Sequence, residues 1–178
     1  TGVLLLAVFV VLEARSDHPL LPLHVVRDRN RGASFLSIGI SGAALFAVFL
    51  FLTYFLQQNL GYSPIATGLA FMPMTGAIMV TAVIGNTRLR RRFGSRPLVA
   101  LGMVLSAIGM LGLTRIGLSS GYAADILPWL IVMGIGTGLV FSMSMNNATL
   151  GVGPSDAGVA SAMVSASQQV GGSLGTAL

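Results

Sequence analysis

Apolar residues in this chain come in long unbroken runs, and the charged residues stand between them. No Asp, Glu, Lys, Arg or His occurs from Ala33 to Leu56, Ile65 to Ile84, Pro97 to Thr114, Ile126 to Ser144 or Ala157 to Leu178. Each run has about the length an α-helix needs to cross the ~30 Å hydrocarbon core of a bilayer. The pattern predicts an all-α membrane protein, a polytopic transmembrane helix bundle, because helices satisfy their own backbone groups where no water can. The expected elements are the end of a transmembrane helix over 1–12, a loop over 13–31, and helices at about 32–58, 64–87, 96–116, 125–148 and 156–178.

Several boundaries carry local signals. Ser63 stands where an N-cap is needed, and Pro64 follows at the first helical position, where a missing N–H costs nothing. Gly61 can end the preceding helix in a left-handed cap. Asp125 can cap the helix that holds Pro128 in its first turn. Pro154-Ser155-Asp156 places an acid at the positive end of the last helix.

Composition sharpens the class. Of 178 residues, 54% are hydrophobic and 8% charged, and the mean hydropathy is +0.85. A soluble domain of this size needs a more polar surface. The net charge of +5 could suggest nucleic acid, but the arginines flank apolar runs and form no aromatic-laced basic face, so no nucleic-acid partner is expected. The chain has no Cys, which excludes disulfide scaffolds, thiol catalysis and Cys-based metal sites. It opens without Met inside an apolar run and stops inside another, as a fragment of a longer protein would.

The arginines set the expected topology. Arg15, Arg27, Arg29 and Arg31 lie in the first loop, and Arg88, Arg90, Arg91, Arg92 and Arg96 in the third. Only Arg115 lies in the fourth, so loops one and three are assigned to the cytoplasm. The loop at 149–155 joins them by alternation. The protein is expected in the cell membrane with several spans, and the lipid bilayer is its first partner.

The chemistry of an enzyme is missing. No HExxH, GxSxG or phosphate-binding glycine loop occurs, and no cofactor or metal is expected. His18 and His24 sit in a loop beside Asp17 and read as solvated. No span holds a carboxylate or histidine near its centre, so a proton-relay group, if the whole protein has one, is expected elsewhere. What remains is uncharged polarity at helical spacing. Phe46, Phe49, Leu50, Thr53, Tyr54 and Gln57 share a face of the 32–58 helix. Met72, Thr75 and Met79 share one on the next. Gly138, Ser142, Asn146 and Thr149 align on the 125–148 helix, and Ser161, Ser165, Gln168, Gly172 and Gly175 on the last. Two readings stand side by side for these faces, helix–helix packing and the lining of a polar cavity. Glycines spaced by four, Gly134 with Gly138 and Gly171 with Gly175, suit close packing. The 96–116 helix has Ser106 as its one strongly polar residue before Thr114 and is expected at the lipid-facing periphery.

The residues resemble a known family. Glu13-Ala14-Arg15, His18-Pro19-Leu20-Leu21-Pro22-Leu23 and Arg27-Asp28-Arg29-Asn30 are similar to the segment after the eighth helix of fourteen-helix drug:proton antiporters of the major facilitator superfamily. Leu52-Thr53-Tyr54-Phe55-Leu56-Gln57-Gln58, Gly61-Tyr62-Ser63-Pro64 and Thr67-Gly68-Leu69-Ala70-Phe71-Met72-Pro73 resemble their ninth and tenth helices. Ala157-Gly158-Val159-Ala160-Ser161 and Gln169-Val170-Gly171-Gly172-Ser173-Leu174-Gly175 resemble the thirteenth. The stretch from Arg88 to Leu98 resembles the family's cytoplasmic basic loop, GxLxDRxGRK, at Gly94 and Arg96. It departs where Arg91 holds the aspartate position and Ser95 replaces a cation. Gln168 stands where the family often has Arg.

The resemblance implies a partial carboxy-terminal bundle over 32–178. It also implies alternating access against a missing amino-terminal bundle of the same parent chain, and antiport of small amphiphilic molecules with protons. Phe46, Phe49, Thr53, Tyr54, Gln57, Met72, Thr75, Asn146, Ser165 and Gln168 are the candidate cavity residues. Thr53, Tyr54, Gln57 and Gln168 are expected to face the cavity and Ser106 to face away. A facilitator or importer on the same fold, or a non-transporting membrane scaffold or gene remnant, would fit the same residues.

Overall fold

The computed structural model describes residues 29–117, 120–149 and 157–177. The expected helix end before Leu12, most of the loop at 13–31 and the Pro154–Asp156 cap lie outside them. The described chain is α-helical: α1 (Arg29–Gln58), α2 (Pro64–Ile84), α3 (Arg90–Phe93), α4 (Ser95–Leu113), α5 (Leu127–Thr149) and α6 (Ala157–Ala177). One π-helical turn, Gly85–Leu89, joins α2 to α3, and another, Tyr122–Ile126, leads into α5.

The α1–α2 junction follows from its residues. Gly61 has φ +66°, which L side chains avoid, and the Tyr62 N–H returns to the Leu56 carbonyl at 3.0 Å. Two residues on, the Ser63 hydroxyl accepts from the Ala66 N–H at 3.2 Å, and Pro64 opens α2. Within α2, Pro73 lacks the N–H that would reach the Leu69 carbonyl. One residue along, the Ala70 carbonyl accepts from the Tyr122 hydroxyl at 2.6 Å, tying the entry to α5 onto α2.

The basic stretch after Ile84 is helix, not loop. The π turn and α3 carry the α2 direction on to Phe93, and only Gly94, at φ +78°, breaks it before α4. Arginine is a good helix former, so a run of arginines gives the helix no reason to stop. The sequence signal for a loop was charge, and charge marks the edge of the membrane, not the end of a helix.

Helix α5 is the hub. It packs on α4, α2 and α1, while α1 makes its other main interface with α6. One core joins Val48, Leu52 and Leu56 of α1 to Ala70, Phe71 and Met74 of α2 and to Ile126, Leu130 and Met133. A second joins Phe35 and Ile38 of α1 to Ala148 of α5 and Val164 of α6. In lipid there is little hydrophobic drive between helices, so close van der Waals contact has to hold them. Small residues provide it. A Cβ on Gly102 of α4 would stand 2.7 Å from the Gly136 carbonyl oxygen, and one on Gly134 would stand 2.6 Å from that of Met74. A Cβ on Gly138 would likewise stand 2.7 Å from the Ile78 carbonyl oxygen. Gly171 and Gly175 of α6 lie against the backbone of Gly39 and Ala43.

Helix α4 differs from its expected setting. Its stripe of Leu98, Gly102, Ser106, Gly109 and Gly112 is buried, and Ser106 Oγ lies 3.4 Å from Thr137 Oγ1 of α5. Leu101, Val104, Ile108 and Leu111 remain exposed on the rest of its surface. The helix is peripheral, but its one central hydroxyl faces protein. A hydroxyl flanked by glycines sits where backbones approach closest, and its partner is a threonine on another helix.

Four described helical stretches, Arg31–Gln58, Pro64–Phe93, Ser95–Leu113 and Tyr122–Ala148, are long and apolar enough to cross a membrane. Helix α6 has 21 residues, enough for about 30 Å, but carries four serines, two glutamines and a threonine. Such a helix lies at membrane depth only where its polar side faces protein or water.

Candidate functional site

Helices α1 and α6 run in the same direction and meet along a line of small residues. Gly39 lies on Gly171, and Ala43 on Gly175. The two sides of this line differ. On one side is an open apolar groove of about 440 Å³ lined by Phe35, Leu36, Ile40, Val170 and Leu174 among others. On the other, Gln168 packs on Gly42, and the Phe46 ring lies over Gly172. Ser161, Ser165, Gln168 and Gly172 fall on one stripe of α6, toward that second side.

Along α1 the second side continues through Phe49 and Thr53 to Gln57. The Phe46 and Phe49 rings are 45% and 46% exposed, and Thr53 and Gln57 are half-buried. Phe49 stacks on the buried Phe71 of α2, with centroids 4.0 Å apart and planes at 11°. One turn beyond Phe71, Thr75 donates its hydroxyl to the Phe71 carbonyl at 3.2 Å, and Met72 and Met79 are exposed nearby on α2. Tyr54 sits apart. At 68% exposure, it lies five turns along the same line as Leu36, on the flank that carries the groove.

The amides and hydroxyls of this region are in different states. Ser165 donates to the Ser161 carbonyl at 3.2 Å, so its proton is satisfied within α6. Gln57 and Gln168 make no hydrogen bond among the described residues, and neither is sealed from its surroundings.

Asn146 belongs to another place. Its Oδ1 accepts from Arg90 Nη1 at 3.0 Å, and its Nδ2 donates to Asn86 Oδ1 at 2.6 Å and to the Ser142 carbonyl at 2.7 Å. It lies twelve residues along α5 from Gly134, which touches α2 at Met74, a rise of ~18 Å. Arg88, Arg91, Arg92 and Arg96 of the same basic segment are exposed, with the Arg92 guanidinium 5.5 Å from the Phe93 ring centroid. Asp125, the one acid among the described residues, is at the opposite end, accepting from the Gly121 N–H at 2.8 Å. Among the described residues no group of three His, Cys, Asp or Glu could hold a metal ion.

Sequence periodicity did not find Phe71, Asn86 or the pairing of Ser106 with Thr137. Each owes its place to a contact between helices, and a period within one helix carries no record of its neighbour. Gly172 was visible as one of the small and polar residues on a face of the last helix, but not its contact with an aromatic ring.

These features define a multi-pass helical membrane bundle whose helices are locked by glycine contacts on some faces and left open, aromatic and amide-bearing on others. A family model described as Major Facilitator Superfamily matches residues 2–176. The chain belongs to the major facilitator superfamily, whose members are membrane transporters of small molecules. It is 44% identical to puromycin resistance protein pur8 of Streptomyces alboniger, over 99% of this chain and 36% of that protein. It is 35% identical to cephamycin export protein CmcT of Amycolatopsis lactamdurans, over 99% of this chain and 37% of that one. It is 31% identical to the tetracenomycin C resistance and export protein of Streptomyces glaucescens, over 99% and 32%. The chain thus spans about a third of the length of the curated relatives it matches.

Proposed function

We propose that the chain is part of an efflux transporter of the cell membrane that exports small amphiphilic molecules by alternating access, and that it acts by transport and not by catalysis. Its described helices form most of one bundle, and the open face of α1, α2 and α6 turns toward the rest of the parent protein across a central cavity. Puromycin, cephamycin and tetracenomycin C, named for the relatives, indicate the kind of compound. Proton coupling is part of the proposal. The described spans hold no carboxylate or histidine near their centres, so the titrating group lies elsewhere in the parent.

The observation that carries this reading is the pair of unbonded amides. An amide left against hydrocarbon costs several kcal/mol. Gln168, well inside α6, therefore needs water, substrate or another polar group in the working protein, while Gln57 stands at the end of α1, where the same cavity would open to water. A water-filled cavity beside Phe46, Phe49 and Thr53 provides it. Asn146 serves differently: its bonds to Asn86 and Arg90 tie α5 to the end of α2 and to α3, on the side read as cytoplasmic.

The test is export by the full-length parent in a drug-sensitive host. Gln57→Ala and Gln168→Ala should change which compounds are exported while membrane abundance stays within about twofold. An unchanged spectrum, or a loss explained by abundance alone, sinks the cavity assignment. The topology has a separate check. With no native Cys in the described chain, a Cys at Ser95 should resist an impermeant reagent in intact cells and one at Ser63 should react; the reverse result overturns the orientation.

A further inference from the structure

Phe46 and Phe49 stand one turn apart on α1, and a different helix backs each ring. Phe71 backs Phe49 in a near-parallel stack at 4.0 Å. Gly172 of α6 backs Phe46: a Cβ there would stand 3.0 Å from two ring carbons and 3.3 Å from a third. That is tighter than a methyl group and a ring ordinarily settle, so a side chain at residue 172 would shift the ring by a few tenths of an ångström. The neighbouring Gly171 does something else, because a Cβ on it would meet the backbone of Gly39 and push the helices apart. At Gly172 the obstacle is the end of a half-exposed side chain, which can turn outward without moving a helix.

We propose that Gly172 is a specificity-determining residue that acts through Phe46. It holds the ring beside Phe49 so that the two present adjacent aromatic faces to flat aromatic compounds. The inference rests on reading this side of α1 as a cavity wall. A ring fixed from behind offers its free face without first having to be ordered, and offset stacking on it favours aromatic substrates over non-aromatic ones. No charged side chain stands among these residues. The electron-rich ring faces suit neutral or cationic compounds and give nothing to an anion. Gly172 is a positioning residue; the contact with substrate is made by Phe46.

The test uses the full-length parent and two probes, puromycin, which carries aromatic rings, and lincomycin, which has none. Gly172→Ala should lower puromycin export relative to lincomycin by about 3- to 10-fold, the worth of one stacking contact, at unchanged abundance. In a Phe46→Leu background the same substitution should add nothing, because the ring it displaces is gone. An unchanged ratio, an equal shift in both backgrounds, or a loss of abundance would overturn the role of Gly172. If Phe46→Leu alone leaves the ratio unchanged, the cavity wall itself is misplaced and the proposal falls with it. If Phe46→Leu shifts the ratio and Gly172→Ala does not, the wall stands and only the positioning role fails. A parent that exports neither probe removes the substrate class.

Discussion

The α4·α5 interface and the open side of the α1·α6 pair use the same small residues to opposite ends. Between α4 and α5, glycines bring backbones together until nothing else fits, and the buried hydroxyls of Ser106 and Thr137 face each other. Along α1 and α6, glycines bring the backbones as close, but the residues beside the seam are half-exposed rings and amides with no partner. Close approach alone therefore does not distinguish a structural seam from a working surface. What differs between the two faces is exposure: the hydroxyls of Ser106 and Thr137 are buried against each other, while Gln57 and Gln168 are only half-buried and unbonded. In a membrane this difference is severe, because lipid offers no substitute partner.

The comparison breaks most visibly if the seam is wedged. Gly102→Val puts branched carbon where the Gly136 carbonyl already stands. Overpacking of this kind costs about 1–3 kcal/mol and more where the obstacle is backbone. The expected outcome is loss of most folded protein from the membrane, read by immunoblot and by size-exclusion chromatography in detergent. Near-normal abundance would show that the α4·α5 contact is looser than described.

Next in size are Gln57→Leu and Gln168→Leu. If the open side were packed like α4·α5, exchanging an unbonded amide for leucine would leave function intact. The expectation is several-fold loss of export for some compounds, measured as minimum inhibitory concentrations, with abundance kept or slightly raised. Ser106→Ala should do less. It removes one membrane-buried hydroxyl contact, worth about 0.6 kcal/mol, and should lower thermal stability by a degree or two without altering the export spectrum. A changed spectrum would move Ser106 from the seam to the cavity. Smallest of all, Gly158→Ala has open space around the new methyl group and should leave abundance and export unchanged.

Much of this was legible in the chain. The spans could be read because lipid demands length and apolarity together, and both are linear properties. The α1–α2 junction could be read because Gly61, Ser63 and Pro64 act on their own backbone. The continuation of α2 through the arginines was hidden, since the same residues mark a membrane edge and favour helix. Of the candidate cavity residues, the structure brings Phe46, Phe49, Thr53 and Gln57 to one side of α1, with Gln168 across from it. It leaves Tyr54 on the neighbouring flank and ties Asn146 to Arg90 at the basic end of the bundle. A helical face drawn with a wide arc covers both flanks, and only the partner helix decides between them. Depth is equally invisible to a period, which cannot separate Asn146 from residues far along the bundle.

The register of α1 on α6 has a mechanical consequence. Two contacts fix it, Gly39 with Gly171 and Phe46 with Gly172. Sliding α6 by one turn would bring Ser167 onto Gly39 and Gln168 beneath the Phe46 ring, or, the other way, Thr176 beneath that ring. The first slip sets a Ser167 side chain against the Gly39 backbone, where a Cβ has no room, while the second meets only the Phe46 ring, which can turn aside. The pair is keyed like a ratchet, blocked by backbone against sliding one way and by a single ring the other way. Under the alternating access proposed above, α1 and α6 would travel as a single lever arm against any slip in the blocked direction, and the displacement would fall on the looser borders of that arm.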